Sequence, residues 1–139
     1  MAFISHIPPL EGDNYRVWRD KYELALALSE NDLALTYPCP TELVDLVREE
    51  NETDTNFTTR QRDHAEVRIK YDLERKKWDI SNYKCLMVAK STILDAIRGS
   101  ILDCDITTEY LNKVESQFTS SSKAYASTLI KKLFNEKYS

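Results

Sequence analysis

The chain has 139 residues, 42% hydrophobic and 30% charged, with only two Gly and four Pro. That is the balance of one folded domain, or of one domain plus a fragment of the next, and it excludes a disordered or collagen-like chain. The formal net charge of −4 excludes a chain that acts as a whole as an electrostatic clamp on nucleic acid.

In chain order, residues 1–13 read as an extended arm with Phe3, Ile4, Ile7 and Leu10 as apolar anchors, held out of helix by Pro8-Pro9. Asp13 or Asn14 can cap a helix that runs to about Ser29. Its apolar residues Tyr15, Trp18, Tyr22, Ala25 and Leu26 recur in steps of three and four, and Arg16, Arg19, Asp20 and Glu23 take the other side. Leu33-Ala34-Leu35 is a short apolar continuation, stopped by Tyr37-Pro38-Cys39-Pro40. From Thr41 to Thr59 the chain is acidic and weakly patterned. One or two helical turns are expected around Leu43, Val44, Leu46 and Val47, and a mobile loop over residues 51–58.

No proline follows Pro40, which favours long helices. A helical pattern starts at Thr59 and carries Ala65, Arg68 or Ile69, Tyr71, Trp78, Cys85, Ala89, Ile93 and Ile97. It predicts either one helix of nearly forty residues or two helices broken near Ile80 to Asn82. Gly99 is expected to end it in the left-handed conformation. After a connection at Asp103 to Asp105, a helix from Thr107 or Thr108 to Phe118 turns Tyr110, Leu111, Val114 and Phe118 inward. Ser120-Ser121-Ser122 then caps a last helix, Lys123 to about Lys137, with Ala126, Leu129, Ile130, Leu133 and Phe134 on one face. The fold class is all-α, a helical bundle with no convincing strand.

Charge is unevenly placed. Glu42 to Asp54 holds six acids against Arg48, a local −5. Arg60 to Lys77 holds seven bases (Arg60, Arg62, Arg68, Lys70, Arg75, Lys76, Lys77) against four acids, a local +3. The plain reading is a solvated loop followed by a solvated helix face; the sharper one is weak RNA contact through those bases, which the interleaved acids interrupt.

Catalytic chemistry finds no support. Two glycines, Gly12 and Gly99, make no phosphate loop, and His6 and His64 lie 58 positions apart. Cys39, Cys85 and Cys104 have no metal-ligand spacing, so no cofactor or metal is expected, and Cys85 reads as a buried thiol rather than a nucleophile. Asp103 and Asp105 read as helix caps rather than an acid–base pair. Trp18, Trp78, Tyr15 and Tyr22 read as core rather than as a base-stacking platform. No leader or membrane span is read, so the chain is expected to be cytoplasmic with reduced thiols, and the sequons Asn51-Glu52-Thr53 and Asn56-Phe57-Thr58 to be chance matches.

The ordered set Leu10-x-Gly12-x-Asn14-Tyr15-x-x-Trp18, Trp78-x-x-x-Asn82, Ile93-x-x-x-Ile97, Glu109-Tyr110-Leu111, Phe118-x-Ser120-Ser121-Ser122-Lys123-Ala124 and Leu129-x-x-x-Leu133 resembles the capsid region of plant copia-type retrotransposon Gag polyproteins. The resemblance implies a retroviral-type capsid N-terminal lobe over residues 1–119, with residues 120–139 as the first helix of a truncated C-terminal lobe. It implies a non-enzymatic structural protein that associates with other Gag subunits into virus-like particles around element RNA. It implies no membrane and no small-molecule substrate. The zinc knuckle such proteins carry downstream is not in this chain. The competing expectation is a domesticated Gag-derived module that binds a host partner or modulates assembly. The apolar face of Leu129, Ile130, Leu133 and Phe134 is expected to fold back on its own lobe, pair with a second copy or fray, and two-fold pairing is the expectation taken.

Overall fold

The computed structural model describes residues 4–119. Phe3, the hydroxyl cap at Ser120 to Ser122, the final helix and its pairing lie outside the described residues. Within them all regular structure is helical, with a single parallel β-bridge.

The arm is pinned at both ends. Ile4–His6 forms one 3₁₀ turn, after which Ile7 and Leu10 are buried. Leu10 bridges to Ile93: its N–H donates to Thr92 O at 2.8 Å, and Leu94 N–H donates to Leu10 O at 3.2 Å. Gly12 follows at φ +123°, a conformation that only glycine adopts without strain. Asn14 precedes helix α1 (Tyr15–Leu28) but does not cap it with its side chain. Instead Asn14 Oδ1 accepts the Glu11 N–H and Nδ2 donates to Pro9 O, both at 2.9 Å, so the side chain braces the turn behind it.

Helix α1 buries Trp18, Tyr22, Ala25 and Leu26, the face its spacing predicts. It ends without a glycine: Glu30 takes φ 59°, and the Asn31 N–H returns to Leu26 O at 2.9 Å. Helix α2 (Leu33–Thr36) is one turn, closed where Tyr37 becomes extended before Pro38.

Beyond Pro40 the chain departs from its pattern in three places. The segment around Leu43 to Val47 forms no helical turn. It runs as an irregular strap, with Val44 and Val47 exposed and its polar groups bonded to the next helix. The loop expected over residues 51–58 ends early, because Thr53 Oγ1 accepts the Asn56 N–H and starts helix α3 (Asp54–Ser91), with Asp54 in the first turn. The hydroxyl and amide side chains that suggested a loop are an N-terminal cap and first turn. Lastly, Gly99 does not end the long helix. Helix α3 is a single unbroken element of 38 residues, about 57 Å at 1.5 Å per residue, and it stops at Thr92, where the chain turns to pair with the arm. Gly99, at φ −64°, closes only the short helix α4 (Asp95–Arg98).

Helix α5, residues 107–119, turns Tyr110, Leu111, Val114 and Phe118 inward as its spacing predicts. The core thus gathers the arm, α1, the second half of α3 and α5. Trp18 stacks on Tyr22 with ring centroids 5.1 Å apart, and Tyr15 stacks on Phe118 at 5.4 Å. No residue of α3 before Trp78 is buried, so the first half of that helix stands clear of the core.

Candidate interaction surfaces

The second half of α3 is the post to which α1, α2 and α5 are tied, through polar side chains. Trp18 Nε1 donates to Thr92 Oγ1 at 3.0 Å, while that hydroxyl donates to Val88 O at 2.8 Å. Tyr22 Oη donates to Cys85 O at 2.6 Å. Ser81 Oγ donates to Asn31 O at 2.7 Å and accepts the Ala34 N–H at 3.0 Å, joining the α1–α2 turn to α3. Trp78 Nε1 donates to Tyr37 O at 3.0 Å.

Asn82 makes the joint to α5. Its Nδ2 donates to Asp105 O at 2.7 Å, and its Oδ1 accepts both the Thr107 N–H at 2.8 Å and the Thr107 hydroxyl at 2.9 Å. The cap of α5 therefore comes from a neighbouring helix and not from Asp103 or Asp105. Asp103 pairs with Lys90 at 2.6 Å, which holds its carboxyl below the usual range.

Burial shifts three interior groups. Tyr22, Tyr110 and Cys85 are all raised, with desolvation as the largest cause in each. Cys85 is fully buried and bonded through Sγ to Asn31 O at 3.0 Å, an interior thiol. Trp18, Tyr22 and Trp78 are buried, and Tyr15 packs against the core, so none of the four forms a stacking platform. Among the described residues no group of three or more His, Cys, Asp or Glu could hold a metal ion. His64 instead sets Nε2 3.0 Å from Val44 O. No helix among them is long and apolar enough to cross a membrane.

The acidic and basic runs, which the sequence presents as separate solvated stretches, are paired with each other. Arg60 meets Glu52 at 2.6 Å and Glu49 at 3.7 Å, and Arg68 meets Asp45 at 3.1 Å, while within the acidic run Arg48 pairs with Asp54. Arg75 pairs with Asp79 along its own helix at 3.1 Å. Of the seven bases considered for RNA contact, Arg62, Lys70, Lys76 and Lys77 make no ion pair among the described residues.

Large apolar side chains are also open to solvent. Val17, Leu24 and Leu28 of α1 are each more than half exposed, and α3 exposes Ile69, Leu73, Ile80 and Tyr83. Sequence reasoning set Ile69 in the core-facing pattern, though it is 71% exposed, and passed over Leu73, Ile80 and Tyr83 as a face because it sought the core; the four-and-three spacing within a charged helix was the available signal. No family model matches the chain, and comparisons with curated proteins and with solved structures return no match.

Proposed function

We propose that this chain is a non-enzymatic, self-associating structural domain of the copia-type Gag capsid kind, acting in the cytoplasm as a building block of particles that enclose element RNA. What carries the reading is where the signature residues fall. Leu10, Trp18, Ile93, Tyr110, Leu111 and Phe118 are buried. Gly12 occupies the turn that requires glycine, Asn14 braces that turn, and Trp78 and Asn82 tie the strap and α5 to α3. These placements support the reading in that the residues carrying the resemblance are ones that hold this fold together. The exposed apolar faces of α1 and α3 fit a protein that functions by contact with copies of itself.

Electron microscopy of the full chain, concentrated with and without added RNA, tests the reading. Closed or sheet-like assemblies are the expected result. A chain that remains dispersed under both conditions overturns it and favours a domesticated interaction module.

A further inference from the structure

Ile69, Leu73, Lys76, Ile80, Tyr83 and Met87 are separated by four, three, four, three and four residues on one uninterrupted helix. At 3.6 residues per turn they lie on an arc of about 80°. This arc faces away from Trp78, Ser81, Cys85 and Ala89, four of the six residues that bury α3 in the core, with buried Leu86 and Val88 on its two flanks. All six are exposed, Ile69 by 71%, Tyr83 by 65% and Met87 by 38%. A helix that presents a heptad seam to solvent opposite its core face has a second packing surface.

The flanks of the seam say what occupies it. With Leu73, Ile80 and Met87 as a positions and Ile69, Lys76 and Tyr83 as d positions, the e positions are Lys70, Lys77 and Lys84, and the g positions include Asp72 and Asp79. One edge is basic and the other acidic. In a parallel pair each g residue meets the e residue five positions further along the partner helix, so Asp72 faces Lys77, and Asp79, which pairs with Arg75 in the single chain, faces Lys84, which there reaches Asn31 Oδ1 at 3.5 Å. An antiparallel pair would set lysines against lysines and aspartates against aspartates. Lys76, the one charged seam position, can lay its stem along the seam and send its ammonium to water; a lone polar seam residue of this kind weakens a pair but fixes its register.

We infer that α3 is a homodimerisation helix: two copies of this chain pair in parallel through the Ile69–Met87 seam, in register, with Asp72 and Asp79 against Lys77 and Lys84 of the other copy. The inference rests on the self-associating reading for its biological sense, and on the heptad and its charged edges for its geometry.

Light scattering after size exclusion, on the full chain across a wide concentration range, tests it. The expected result is a concentration-dependent dimer. Leu73→Glu with Ile80→Glu should weaken it by roughly a hundredfold or more while leaving helix content unchanged, since both side chains are exposed in the single chain. Asp72→Lys alone should weaken it about fivefold, and Asp72→Lys with Lys77→Glu should restore it to within about twofold. A dimer indifferent to the Leu73/Ile80 change overturns the inference but leaves the structural reading in place, with association through another face. A double charge swap weaker than the single one overturns the parallel register. A monomer at every concentration overturns the pairing, whether the seam is bare or covered by residues 120–139 of the same chain, and deletion of those residues tells the two apart.

Discussion

Asn82 bonds on both sides of one joint, donating to Asp105 O and accepting the N–H and hydroxyl of Thr107, whose own hydroxyl also reaches Asn82 O at 2.8 Å. Thr107 is fully buried, so removing the amide leaves its N–H with no partner and no water to replace one. Asn82→Ala should lower the stability by about 2–3 kcal/mol, read from the urea midpoint, which combines a lost cap with an unsatisfied donor. Tyr110 is the opposite case. Its ring is buried against the core, with the Lys90 ammonium 5.7 Å from the ring centroid, but its hydroxyl has no hydrogen-bond partner among the described residues. An orphaned buried hydroxyl carries a desolvation cost and nothing in return. Tyr110→Phe should therefore leave stability unchanged or raise it by up to about 1 kcal/mol, whereas a loss of more than that would place a bound water or a further partner at the hydroxyl.

At the level of elements, α1 and α5 were legible because each has one core face and a polar remainder, so their apolar spacing carries the whole packing instruction. Helix α3 was legible as helix but not in its limits. Its start depends on Thr53 reaching the Asn56 N–H, a local bond that the same residues could equally satisfy in a loop. Its end depends on Leu10, more than eighty positions away, pairing with the backbone around Ile93, and no window of sequence carries that information. The strap from Tyr37 to Thr53 was illegible for the same reason: its order comes from Arg60, Arg68, His64 and Trp78 of the next helix. These ties predict a pH profile. Asp103 and Glu52 have lowered values, through Lys90 and Arg60 first, so their contribution is present above the unfolded carboxylate range and is lost as pH falls below that range through their lowered values. Tyr22, Tyr110 and Cys85 are raised by burial, so the unfolded chain sheds those protons from about pH 9 to 10 while the folded chain retains them, and stability falls as pH rises beyond that. Thermal denaturation across pH 3–11 should show a plateau with losses at both ends, and the acid loss should shrink in Glu52→Gln, which no longer has that proton to bind.

For the molecule as a whole, the pairing of the two charge runs decides what kind of surface it offers to a polyanion. A basic helix face becomes a nucleic-acid site when phosphates can displace small counterions from it. Here Arg60 and Arg68 already have carboxylates of the strap as counterions, covalently tethered and not released into solution when RNA arrives. An incoming phosphate must compete with Glu52 and Asp45, and it meets a chain of net charge −4. RNA affinity of the intact chain should accordingly be weak and only mildly sensitive to salt. Replacing Asp45 with Asn and Glu49 and Glu52 with Gln raises the formal net charge from −4 to −1 and leaves both arginines unpaired. Fluorescence anisotropy with a labelled single-stranded RNA should then show tighter binding, and the dependence of log K on log salt should steepen by about 0.7 for each further phosphate that the freed arginines neutralise. The strap would in that case be an internal competitor for RNA, so that contact with RNA must displace it. Equal affinity and equal salt dependence in the two proteins would mean that the arginines hold the strap in place and do nothing else, leaving RNA enclosure to other parts of an assembly.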